Sequence, residues 1–219
     1  ALGAAPAAAA TAPGGTQLVE RRADFDQAAF ARLVGGPAAI RQVWEAVAFK
    51  PAMLNNIKNA LNGLQFGFGL SPVAMVLAGH GPSAAYGYSD YVWQKYRIAD
   101  FFNIRDASGR APTSNIYYPA TTTWNTADSP DDPSGRYQDA SLVALQRRGV
   151  VVLTCHTAVE EQSRALIKGG FAPAGATPQD VSADILTHLI PGASVVPAMV
   201  AAVAVLQAKY HYTYVALTF

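Results

Sequence analysis

Cys155 is the single cysteine of the 219-residue chain, standing where the apolar run from Gly149 to Thr154 gives way to His156-Thr157-Ala158-Val159-Glu160-Glu161. A thiol at the carboxyl end of a buried strand, at the mouth of a helix, is placed for nucleophilic chemistry. Open parallel sheets take their ligands outside these strand ends, and a helix N-terminus favours the thiolate over the thiol. A nearby imidazole would activate it further, and two histidines are candidates: His80, between two glycines in Gly79-His80-Gly81-Pro82, and His156 itself. Cys155 and His80 are the candidate catalytic residues. The competing readings are an inert core cysteine and a hydrogen-bonded loop histidine.

Other chemistries have less support. A metal shared by Cys155, His156 and His80 lacks any recognised ligand spacing, and haem attachment needs a second cysteine that the chain does not contain. Gly67-Phe68-Gly69 and Gly79-His80-Gly81 are too short for a phosphate-cradling loop, and no nucleophile-elbow or zincin motif occurs. Neither a metal nor a cofactor is expected. Glu160 and Glu161 read as solvated acids near a helix start.

Strands must deliver these residues to one edge. Pro72 to Gly79 and Val150 to Cys155 are apolar runs with the length of buried parallel strands. Gln42 to Phe49 alternates like a strand, with a helix as the alternative, and short strands are predicted at 194 to 196 and 212 to 217. Between them the spacing predicts helices over 24 to 34, 52 to 65 (opened by Pro51), 89 to 98, 137 to 148, 157 to 167, 177 to 188 and 198 to 208. Strands separated by helices predict an α/β fold, a parallel sheet covered on both faces.

Residues 1 to 17 are an Ala/Pro/Gly/Thr-rich flexible leader, and 18 to 219 are read as one domain with an N-terminal helical arm. The stretch from 103 to 136 is rich in Pro, Thr, Ser, Asn and Asp and carries Tyr117, Tyr118 and Trp124, with Tyr137 just beyond. A loop this long reads as a lid, a binding loop or an oligomer contact. A net charge of +1 with sixteen scattered Lys and Arg argues against nucleic acid. The most apolar stretch, Ala193 to Leu206, has fourteen residues against the about 20 a spanning helix needs. The start Ala1-Leu2-Gly3-Ala4-Ala5-Pro6, with no methionine, reads as a terminus left by a signal peptidase or as a trimmed tail, and predicts an exported, periplasmic protein.

Several segments together resemble the DsrE-like sulfur-relay family, in particular its exported branch, whose precursors often carry twin-arginine signals. They are Asn55 to Leu64, Val76 to Pro82, Val151 to Ala158, Leu189 to Val200 and Leu206 to Val215. The likeness covers roughly residues 40 to 219. It implies a three-layer α/β fold with a five-stranded, mainly parallel sheet, frequent homo-oligomers, and a strand-end cysteine carrying sulfur as a persulfide between donor and acceptor proteins. Cys155 matches that position, with His80 tuning or hydrogen-bonding the sulfur. The alternative role is a non-catalytic accessory subunit docking a periplasmic or surface assembly through the aromatic loop and leader.

Overall fold

The computed structural model describes residues 24–122, 124 and 128–217, so the expected leader lies outside the described residues. Five strands, β1 Ile40–Ala46, β2 Val73–Gly79, β3 Val150–Cys155, β4 Ala193–Val196 and β5 Thr213–Ala216, form one sheet in the order β4-β3-β2-β1-β5. Every pairing is parallel. The expected three-layer α/β fold is present. The sequence alone left "mainly parallel" open because a short antiparallel edge strand reads the same.

The helices are α1 Gln27–Val34, α2 Pro51–Asn62, α3 Asp90–Lys95, α4 Ile98–Phe101, α5 Leu142–Arg147, α6 His156–Lys168, α7 Pro178–Thr187 and α8 Met199–Tyr210. One sheet face, built from Val43, Val76, Leu153, Cys155 and Val196, packs on α1, α3, α4, α6, α7 and α8. The opposite face, built from Trp44, Met75, Leu77 and Val152, packs on α2 and α5 through Leu54, Ile57, Leu61, Leu142 and Leu145. Burial on both faces explains why β2 and β3 read as unbroken apolar runs. Among the described residues no helix is long and apolar enough to cross a membrane.

Helix starts follow their capping residues. Asp26 accepts from the Ala29 N–H at 2.8 Å, Ser141 from Ala144 at 3.2 Å, and Thr177 and Asp180 form a reciprocal box. Boundaries depart from periodicity where side chains have other partners. The helix expected from Tyr137 begins only at Leu142, because Gln138 holds Lys58 at 2.8 Å and the Tyr137 carbonyl accepts from Asn62 at 2.9 Å. The helix expected over 89 to 98 breaks at Arg97, which takes φ 47°, and α4 follows. Strand β1 stops at Ala46, and Phe49 turns in to pack on Tyr86, Trp93 and Tyr117. A 3₁₀ turn, Gly81–Gly87, was not legible from the Gly/Pro boundary. It starts at Gly81 with φ +56° and buries Ser83 to Gly87 completely.

Between α4 and α5 the described residues form turns. Asn115 anchors them, donating its buried amide to the carbonyls of Tyr86 and Tyr88 at 3.0 and 2.7 Å. Tyr117 stacks on Phe49 with its ring centroid 5.7 Å away, and Trp124 donates its indole N–H to Asp139 at 2.6 Å. These loop aromatics are engaged with the body of the domain.

Candidate functional site

Parallel register carries β1, β2 and β3 to a common carboxyl edge: Ala46 pairs with Gly79, Gly79 with Thr154, and Cys155 with Val196. His80 and Cys155 therefore lie at the ends of adjacent strands, as ligand-binding edges of such sheets require. Two separate polar arrangements occupy this edge.

The first surrounds the thiol. Cys155 caps α6, is 0% exposed, and its Sγ lies 3.0 Å from the Thr157 hydroxyl in the first turn of that helix. Met199, the first residue of α8, donates its backbone N–H to the same sulfur at 3.2 Å. N–H groups in a helix's first turn have no partner within the helix, and the positive end of the helix dipole sits there. Two helix starts thus converge on one sulfur. Nearby, Tyr88 donates its buried hydroxyl to Gln162 at 2.7 Å, and the Gln162 amide donates to the Gly81 carbonyl at 2.6 Å. Burial, and secondarily the proximity of Cys155, raise the Tyr88 phenol and keep it protonated.

The second holds the imidazole. His80, with its side chain 33% exposed, sets Nδ1 3.0 Å from Glu45 Oε1, and Tyr214 donates its hydroxyl to Glu45 Oε2 at 2.5 Å. Its backbone N–H donates to the Ala46 carbonyl at 2.9 Å. A carboxylate on Nδ1 orients the ring and leaves Nε2 as the working nitrogen. No hydrogen bond joins His80 to Cys155 among the described residues, so the two share an edge without forming a bonded dyad.

His156 stands apart. It is half-buried, its Nδ1 is enclosed without a partner, and burial holds its imidazole below the ordinary histidine range. Among the described residues no cluster of three His, Cys, Asp or Glu is placed to hold a metal. Glu160 corrects an expectation: it is 5% exposed, not solvated, because α6 turns it toward α7, where burial raises its carboxyl against the opposing effects of Ser182 and Arg164. Sequence reasoning missed Glu45 and Tyr214. Glu45 carried a readable signal, an acid near the end of an otherwise apolar Val43 to Val47 run, whereas Tyr214 is exposed and only pairing of β5 with β1 reveals it.

Beside the thiol's wall, an apolar pocket of 250 Å³ lies between α1 and α8, lined by Phe25, Phe30, Val196, Pro197, Ala198 and Val205. Its floor includes the segment leading into Met199. Comparison with protein-family models, curated proteins and solved structures finds no match for this chain.

Proposed function

We propose that this chain is a sulfane-sulfur carrier of the exported, DsrE-like kind, with Cys155 as the sulfur acceptor and a donor and an acceptor protein as partners. The observation that carries the reading is the convergence of Thr157 and the Met199 N–H on Cys155 Sγ at 3.0 and 3.2 Å. In the first step the Cys155 thiolate attacks the outer sulfur of a donor persulfide, forming Cys155–S–SH and releasing the donor thiolate. An acceptor thiolate then takes the outer sulfur and restores the Cys155 thiolate, with no net oxidation. His80, oriented by Glu45 at the adjacent strand end, offers Nε2 to hydrogen-bond the arriving sulfur. Because Cys155 is fully buried, transfer requires the chain around it to open.

Complete burial of Cys155 favours a second reading, a non-catalytic accessory subunit in which the thiol is core. Intact mass after incubation with a persulfide donor, paired with alkylation of the native protein, separates the two. One added sulfur that prior alkylation blocks supports the carrier. An unchanged mass with a thiol that reacts only after denaturation supports the accessory role.

A further inference from the structure

At the opposite end of the sheet, where Ser71 leads into β2 and Arg148 into β3, a 420 Å³ pocket is walled by three arginines, Arg136, Arg147 and Arg148, and three rings, Phe66, Trp124 and Tyr137. Among the described residues no carboxylate lines it; Asp128, which pairs with Arg136, is not in the lining. The rings fix the cations. Arg147 lies over Trp124 at 4.7 Å, and Arg136 and Arg148 lie over Tyr137 at 4.8 and 5.2 Å. Guanidinium faces stacked on rings leave their N–H edges for other partners.

Arg148 leaves the clearest vacancy. One terminal nitrogen donates to Gln65 at 2.8 Å, while Nε and the other terminal nitrogen are buried with no partner. Burial opposes its charge most, Tyr137 supports it, and Arg136 opposes it again. Buried donors of a permanent cation without acceptors are rare in folded proteins, and because Arg148 lines the pocket, a rotation of its guanidinium presents them to an anion bound there. The six-residue α5 accounts for Arg147 and Arg148 being near a helix C-terminus, which cations favour, but not for buried Arg148 donors without acceptors.

We propose that this pocket binds a small molecule bearing a tetrahedral oxyanion, a phosphate or sulfate ester, with the oxyanion held by Arg147 and Arg148, Arg136 at the rim, and the remaining volume filled by the body of the ligand. All the arginine contacts are donors, which selects a fully deprotonated anion. A volume of 420 Å³ exceeds what a bare oxyanion fills and lies in the usual range for small-molecule sites.

Calorimetric titration of the full chain with inorganic phosphate and with sulfate at low ionic strength tests this. The expected result is saturable one-to-one binding of at least one anion, weakened about tenfold or more by Arg148→Met and by Arg147→Gln. Lys168→Gln, an exposed charge on α6 across the sheet from α5, leaves it unchanged. Arg147 is exposed, so Arg147→Gln decides the matter if Arg148→Met fails to fold. Absence of saturable binding by either anion overturns the site, as does an equal loss in Lys168→Gln, which marks general charge attraction. Phosphate binding that is tighter than that of sulfate and fades as falling pH protonates the dianion points to a phosphate-bearing ligand, and tighter, pH-independent sulfate binding to a sulfate-bearing one; each supports the pocket.

Discussion

The backbone N–H of Met199 points at Sγ of Cys155 across 3.2 Å, tying the start of α8 to the end of β3. A change at the sulfur therefore alters a hydrogen bond at the start of α8.

Cys155→Ala is expected to lower unfolding free energy by about 1–2 kcal/mol, from a small cavity and an orphaned Met199 N–H. Cys155→Ser keeps an acceptor and is expected to cost less. Urea denaturation measures both. A loss of several kcal/mol for the alanine variant, with no sulfur loading in the wild type, would leave the thiol a packing residue.

The hydrogen bond to Glu45, and then burial and that carboxylate's charge, push the Tyr214 phenol up to about 12. Glu45→Ala is expected to return it toward the ordinary value of about 10 and to free His80 from its fixed Nδ1 partner. Tyrosine ¹³C NMR, assigned with Tyr214→Phe, follows the phenol, and imidazole ¹⁵N shifts follow the tautomer. Unchanged tautomer populations in Glu45→Ala would remove Glu45 as the positioning residue.

Burial raises the Glu160 carboxyl, with Ser182 and Arg164 opposing. The folded chain therefore holds this proton more tightly than the unfolded one. The stabilisation is complete below the ordinary carboxylate range, about 4.3, and is lost as pH rises through the folded value. Glu160→Gln is expected to be more stable than wild type near neutrality, with the advantage vanishing in acid. Paired denaturation curves at several pH values check the sign.

A Cβ on Gly87 would stand 2.2 Å from the Thr154 hydroxyl oxygen, which is buried without a partner. Gly87→Ala is expected to cost about 1–3 kcal/mol by overpacking. Adding Thr154→Ala removes the clashing atom, so the double variant is expected to be more stable than the two single effects summed. A double-mutant cycle by thermal or urea unfolding measures the coupling.

The layered fold was legible because its signals are local. Apolar runs at β2 and β3, Pro51 at a helix start and the Thr177-to-Asp180 box each act through near neighbours in the chain. Boundaries that failed, at Tyr137 and Arg97, are set by partners more than 70 residues away, such as Asn62 for the Tyr137 carbonyl and Gly170 for the Arg97 guanidinium.

By itself the sequence determined that Cys155 and His80 close strands of one α/β sheet, since strand length and the residues ending each run are encoded in place. Only the tertiary structure decided that Cys155 is sealed between two helix starts, that His80 answers to Glu45 and Tyr214, and that Arg136, Arg147 and Arg148 share a pocket. Each of those relationships depends on strand order and helix placement, which bring together residues that no local pattern links.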